Sequence, residues 1–333
     1  RFDKLDVPSC WQFRGYGNPF YVNMRYQFPY QPPEIPTTEK VGKSFCWIGS
    51  DQGIKPRWQE PVDEYNYVGV YRRFFEVEDC GRNHVLSFLG VASCIDLYVN
   101  GSFVGYSEGS HNTAEFDITS YIHAGTNELV AVVRRWCNGT YLECQDMFRN
   151  NGIFRDVLLR ISEKSDIWDI GFRTRKTQRG YRAAASVKLY ADGEVTFTLE
   201  GNGICERRTV RSRDKVAKAV FEDLAVAEWN AEAPVLYDLY YEVPGSCVKT
   251  RVGFKDVAIR GTVFYLNDHK VKLHGVNHHD TSCDNGYTLT PEEIERDMRL
   301  CKEYNIDTVR TSHYPPDPYL LELCDELGIY VVD

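Results

Sequence analysis

Between Lys270 and Asp333 short apolar runs alternate with segments of helical period, whereas everything upstream reads as strand after strand. Val271-Lys-Leu-His-Gly-Val276 is a predicted strand. Thr290-Pro-Glu-Glu293 then offers a hydroxyl N-cap, proline at the first helical position and a glutamate three residues after the cap, which together make a capping box. Ile294, Met298 and Cys301 follow at i, i+4 and i+7, so one face of that helix should be buried, and Asn305 should end it. Thr308-Val-Arg-Thr311 is a second predicted strand. Asp317-Pro318 opens a second helix striped by Leu320, Leu323, Cys324 and Leu327 and stopped by Gly328, and Ile329-Tyr-Val-Val332 is a third strand. Two βαβ units in about sixty residues imply parallel strands with helices laid on them.

A parallel sheet must be covered on both faces. Because this stretch finishes on an apolar strand with no third helix, the expectation is the first βαβαβ of a (β/α)8 barrel truncated after its third strand, rather than a complete small α/β domain. Such a barrel has eight strands and about 250 residues.

Upstream, the period is two or the runs are short and apolar: 68–77, 84–89, 94–99, 103–106, 128–134 and 156–161, with turns at Asn100-Gly101, Ala124-Gly125 and Asn138-Gly139. Many short strands at close spacing indicate a β jelly-roll sandwich over 1–163, with a Tyr- and Pro-rich extended segment from Tyr21 to Pro36. A polar link near Glu163 to Ser165 precedes a second set of strands: 167–174, 184–190, 194–199, 218–224, 236–243 and 248–253. This suits an immunoglobulin-like β-sandwich over 164–256, lacking the Cys-Trp-Cys spacing of antibody domains and serving to orient its neighbours. The barrel segment then occupies 257–333.

Among the 333 residues, 43% are hydrophobic and 26% charged, the ordinary balance of a soluble chain. A net charge of -9 with no run of Lys or Arg argues against nucleic acid, and no stretch nears the ~20 apolar residues of a membrane span. The 11 cysteines are odd in number and scattered, with no C-x-x-C, so buried thiols in a reducing, cytoplasmic setting are expected rather than a disulfide framework. Starting at Arg1, the chain looks trimmed, and a removed export signal stays open.

Chemistry in a (β/α) barrel sits at the C-terminal ends of the strands. Two polar clusters fall there: Asn277-His-His-Asp280 and Ser312-His-Tyr-Pro315. Adjacent residues on a strand point to opposite faces, which disfavours a metal held by His278, His279 and Asp280 together. Arg310 is expected to be buried, either in a structural ion pair or as a fixed positive charge beside a catalytic carboxylate. In the first sandwich, Tyr141-Leu-Glu-Cys-Gln-Asp-Met-Phe-Arg-Asn150 sets Glu143, Asp146 and Arg149 among aromatics, ahead of Gly152-Ile-Phe-Arg-Asp-Val157. Exposed acids are usually only solvated, but rings with convergent acid and amide groups are what a sugar site uses.

Gly275-Val-Asn-His-His-Asp280, Arg310-Thr-Ser-His-Tyr-Pro315 and Leu323-Cys-Asp-Glu-Leu-Gly-Ile-Tyr-Val-Val-Asp333 closely resemble the start of the barrel in family 2 glycoside hydrolases, which order a jelly roll, an immunoglobulin-like domain and a barrel in the same way. Tyr141 to Arg149, Gly152 to Val157 and Val99-Asn-Gly-Ser-Phe-Val-Gly-Tyr106 resemble the large β-galactosidases of that family. The resemblance implies that Asn100, Asp146 and His313 bind galactosyl hydroxyls, that Asp146 also ligates Na+, and that Arg310 orients the nucleophile. It implies Mg2+ in the complete protein, with ligands mostly outside this chain, and a homo-oligomer. Departures from the family pattern are Phe148 for a usual Trp, Cys144 for a common acid, and His278-His279-Asp280 for Arg-His-Glu. These touch fine contacts only. The two catalytic carboxyl groups of a retaining glycosidase, about 5 to 5.5 Å apart, are expected beyond Asp333, so the chain alone should be inactive. The alternatives are another specificity of the family, such as β-glucuronidase, and a non-catalytic carbohydrate-binding or assembly module.

Overall fold

The computed structural model describes residues 3–22, 35, 66–143 and 145–333. Most of the Tyr- and Pro-rich segment, with Cys46 and Cys144, lies outside the described residues.

The first sandwich consists of two antiparallel sheets. One orders Val68–Val77, Gly125–Arg134, Cys94–Val99 and Ser102–Glu108 side by side; the other orders Val157–Ser162, Asn83–Phe88 and Ala114–Asp117. Inward residues of both, including Phe88, Leu97, Val99, Phe116 and Val133, pack into one core. The predicted strands are present with their ends moved by a few residues. Sequence reasoning missed Ala114–Asp117 and two short pieces, Met147–Arg149 paired with Phe20–Val22 and Gly152–Ile153 paired with Val91–Ala92.

The second sandwich has a three-stranded sheet, Ile167–Thr177, Gly180–Leu189 and Val216–Leu224, over a four-stranded one, Ile204–Arg211, Glu194–Gly201, Leu236–Val243 and Ser246–Gly253. Strict alternation, as in Leu236–Val243, sends Tyr237, Leu239 and Tyr241 into a core shared with Phe197, Phe221 and Phe254. Strand Ile204–Arg211 was not predicted, because it is an edge strand dominated by Glu and Arg with little apolar alternation.

After the antiparallel strands Val257–Arg260, Val263–Leu266 and His269–Lys270 comes a three-stranded parallel sheet of Gly275–His278, Thr308–Thr311 and Tyr330–Val332. Helices α1 (Pro291–Glu303) and α2 (Pro318–Leu327) cross between these strands. Thr290 caps α1 with the reciprocal Glu293 bond, and Ile294, Met298 and Cys301 face Val309, Leu320 and Leu323 in one core. The first strand starts later than predicted, at Gly275 instead of Val271. Val271 N–H is still bonded to Phe264 O, and the parallel ladder opens only where Gly275 meets Thr308. A side chain at position 275 would lie 2.7 Å from Thr308 O, so only glycine lets the two backbones approach there.

Both sandwiches brace this segment. Trp229 of the second donates Nε1–H to Asp325 O at 2.8 Å, and Lys302 Nζ reaches Ala231 O and Gly328 O, each at 2.9 Å. The first sandwich meets the opposite end of the sheet, where the site lies. Among the described residues no helix is long and apolar enough to cross a membrane, and nine cysteines are free thiols.

Candidate carbohydrate site at the barrel rim

The C-terminal ends of the first two parallel strands bring Asn277, His279, Arg310 and His313 together. Arg310 Nη1 lies 3.5 Å from Asn277 Oδ1 and 3.1 Å from His313 Nδ1. An arginine only donates, so His313 accepts at Nδ1, which leaves Nε2 as its N–H donor. Arg310, expected to be buried, is exposed. His279 stands edge-on to His313, with ring centroids 5.4 Å apart, and its Nδ1 is 3.5 Å from the Tyr314 hydroxyl. Burial and the neighbouring His313 and His278 hold the His279 imidazole below its ordinary pKa, against a smaller upward pull from Asp146.

Asp146 of the first sandwich sits immediately before the strand Met147–Arg149, whose Phe148 carbonyl is held by Tyr287 of the barrel segment. Its carboxylate accepts from the Tyr21 hydroxyl, and Tyr21 stacks edge-to-face on Phe148 at 5.4 Å. The strand that follows, Met147–Arg149, is clamped to the barrel because the Tyr287 hydroxyl donates to Phe148 O. Nearby, the Thr288 hydroxyl donates to Phe154 O at 3.1 Å. Beneath them lies an aromatic layer built from both units: His111 stacks on Tyr314 at 3.9 Å and meets Tyr287 and Phe154 at 4.9 and 5.0 Å. Full burial keeps His111 well below the ordinary imidazole range, hence neutral.

Asp280 behaves as a structural acid. Arg155 donates to it at 3.2 Å, and its Oδ2 also accepts Asp317 N–H, at the N-cap of α2, at 2.7 Å. His278 bridges carboxylates, with Nδ1 3.4 Å from Asp280 and Nε2 3.3 Å from Asp297 on α1. The consecutive His278 and His279 therefore serve opposite sides, one the helix layer and the other the rim.

Asn100 does not join this cluster. It follows the end of strand Cys94–Val99, with φ 51° and Gly101 at φ 77°, a two-residue hairpin turn with both residues left-handed. Its Nδ2 donates to Tyr121 O at 2.9 Å and Asn127 Oδ1 at 2.8 Å, and its Oδ1 accepts Glu128 N–H at 2.9 Å. The other end of that strand follows Ala92, which packs with Met147, Tyr287 and Tyr314 beneath the site, so Asn100 stands roughly 20 Å away at the usual rise per residue. The expectation that Asn100 contacts sugar is corrected: its polar groups are consumed in holding the turn.

Sequence reasoning also missed the roles of His279, His111 and Arg155. Arg155 stood within a singled-out motif, and His279 within the Asn277-His-His-Asp280 cluster without a role of its own. For Na+, Asp146 and the Tyr21 hydroxyl are two hard oxygen donors and fit part of a shell. For Mg2+, the described residues gather no group of three His, Cys, Asp or Glu side chains able to hold an ion.

Comparison with known proteins agrees with this architecture. Residues 54–162 match the sugar binding domain of glycosyl hydrolases family 2, and residues 257–333 match the TIM barrel domain of the same family. The chain is 34% identical to a β-galactosidase of Actinobacillus pleuropneumoniae over 99% of its own length and 30% of that protein's. It thus spans about a third of the curated relatives it matches. Its fold matches a crystal structure of an FMN-binding β-glucuronidase from Facaelibacterium prausnitzii L2-6 with TM-score 0.75 at 20% identity, over 99% of this chain and 48% of that one. It also matches a β-galacturonidase of the family from Eisenbergiella tayi with TM-score 0.68 at 24% identity, over 80% of this chain and 50% of that one. With one family's models matched at both ends of the chain and this similarity running through its whole length, the chain belongs to glycosyl hydrolase family 2.

Proposed function

We propose that this chain is the sugar-gripping part of a retaining β-galactosidase acting on terminal β-D-galactosides. The observation that carries the reading is that the jelly-roll strand directly after Asp146 is bonded to the barrel segment through Phe148 O and Tyr287, in the same aromatic layer as Tyr314, above which His279, His313 and Arg310 gather at the strand ends. The galactoside preference draws on relatives such as the β-galactosidase of Actinobacillus pleuropneumoniae.

In this reading Asp146 accepts from a pair of galactosyl hydroxyls, since an ionised carboxylate is a pure acceptor able to take several bonds. His313 donates from Nε2, the proton having been placed there by Arg310. His279, kept neutral, can either accept or donate without adding a charge near the ring oxygen, where positive charge develops during glycoside cleavage. Na+, where bound, would sit against Asp146 and supply electrostatic anchoring of a hydroxyl. We assign no acid/base or nucleophile to the described residues: Asp280 is tied to Arg155 and the α2 N-cap, and Asp333 accepts from Thr311 at 2.7 Å.

Side-by-side initial rates of the complete gene product on nitrophenyl β-galactoside and nitrophenyl β-glucuronide test the specificity. A galactoside preference of 100-fold or more, on the order of 3 kcal/mol, is expected; a glucuronide preference overturns it. The 333-residue chain alone should turn over neither substrate.

A further inference from the structure

After the strand Ser102–Glu108 of the first sandwich the chain turns, and the turn sets His111 against the barrel segment. The backbone there is pinned on both sides. Glu143 accepts from the Ser110 N–H at 2.6 Å and from the Ser110 hydroxyl at 2.8 Å, and Arg155 donates to His111 O at 3.2 Å. The imidazole lies nearly parallel to the Tyr314 ring, with centroids 3.9 Å apart and planes at 19°. It meets Tyr287 edge-on and Phe154 at a tilt, so the only stack it makes with these three rings is on Tyr314.

Tyr314 needs such a partner. Its N–H reaches Thr311 O at 3.2 Å, and the neighbouring Ser312 N–H reaches His278 O at 3.0 Å, bonds that hold the main chain but leave the ring free to turn. At the far end of that ring is the hydroxyl that lies 3.5 Å from His279 Nδ1. We propose that His111 is a positioning residue of the sugar site, setting through its stack on Tyr314 the orientation in which His279 meets the substrate. The inference rests on the reading of this rim as a glycosidase site and deepens it.

His111 Nε2 is buried and has no hydrogen-bond partner among the described residues, so the side chain does not act through a bond at that atom. What it supplies is a flat, neutral ring. Burial, with Arg155 and Arg149 nearby, holds the imidazole uncharged, which leaves the Arg155–Asp280 pair undisturbed and puts no positive charge beneath His279. Turning Tyr314 out of the stack would drive its edge into His111, whose own ring is confined by Tyr287 and Phe154 in a close-packed layer. A displacement of about 1 Å in a group that meets the reacting substrate costs on the order of 100-fold in rate. His279 serves the part of the sugar where charge develops, so the loss should fall on kcat more than on KM.

The test measures kcat and KM of the complete gene product on nitrophenyl β-galactoside and nitrophenyl β-glucuronide, with rates taken per folded molecule. His111→Leu keeps most of the volume but cannot stack: kcat on the preferred substrate should fall at least tenfold with KM within twofold. His111→Phe restores a flat ring and should bring kcat back to within threefold of wild type. Tyr314→Phe keeps the stack and removes the hydroxyl, so it should show the same split, and adding His111→Leu to it should lower kcat by no more than a further twofold. Wild-type kcat in His111→Leu, or full multiplication of the two losses in the double variant, overturns the inference. Should His111→Leu not fold, the flexible and ringless His111→Met takes its place, and wild-type kcat in Tyr314→Phe overturns the inference unaided. A wild type that prefers the glucuronide contradicts the galactoside reading alone, since the losses are read on whichever substrate is preferred. A wild type inactive on both overturns the reading and the inference together.

Discussion

Arg155 of the first sandwich and Asp280 of the barrel segment form an ion pair 3.2 Å long, with side chains only 6% and 5% exposed. Burial alone would cost each charge several kcal/mol, so the pair persists because the remaining valences are also used: Arg155 donates to His111 O at 3.2 Å and Pro315 O at 3.0 Å, and Asp280 takes the Asp317 N–H. Even so, burial wins over the two carboxylates and holds the Arg155 pKa below its ordinary value. The bond joins a jelly-roll strand end to the loop carrying His279, and so fixes one half of the pocket against the other.

Removing either partner strands a buried charge. Arg155→Met and Asp280→Asn should each lower unfolding free energy by about 3–5 kcal/mol, and the double substitution should cost less than the sum of the two. Urea denaturation of the four proteins measures this; additive losses would show that the two groups do not act as a pair.

His278 gives stability a pH dependence of known sign. Burial lowers its pKa, but Asp280 and Asp297 together more than reverse that, so the folded-state value lies above the unfolded one. The contribution is therefore complete below the unfolded pKa, about 6.5, and fades as pH rises through the folded value. His278→Gln should shift the urea midpoint down more at pH 5.5 than at pH 8.5. A larger loss at pH 8.5 would contradict the bridged, protonated ring.

Gly328 ends α2 at φ 72°, and a side chain there would come within 2.4 Å of Ala231 O in the second sandwich. Gly328→Ala should cost at least about 1–2 kcal/mol from the left-handed backbone alone, with more from the displaced sandwich. Thermal unfolding reads it. Gly125→Ala is the control: φ is 90° but nothing lies within 4 Å, so only the backbone cost should appear.

How much of this could be read in the residues depended on whether the signal was local. Thr290-Pro-Glu-Glu293 specified its helix because cap, proline and glutamate act on one turn, and the buried stripe Ile294, Met298, Cys301 followed from periodicity. The first parallel strand was misplaced by four residues because its start depends on where Gly275 meets Thr308, a contact invisible in Val271–Val276 itself. Asn100 shows the converse ambiguity. Val99-Asn-Gly101 is both a piece of family resemblance and the strongest short hairpin signal, and the φ values at 100 and 101 assign it to the hairpin. His111 and Arg155 could not have been placed, since their partners Tyr314, Tyr287 and Asp280 lie on another unit.

The direct test of a pocket shared between sandwich and barrel compares Asp146→Ala with Asn100→Ala in the complete gene product, reading kcat/KM on nitrophenyl β-galactoside. Loss of a hydrogen bond from a charged group is worth about 1.5–3 kcal/mol, so Asp146→Ala should fall at least tenfold while Asn100→Ala stays within about twofold at temperatures where it is folded. Equal losses, or a larger loss for Asn100→Ala, would contradict the pocket built on Asp146, His279 and His313.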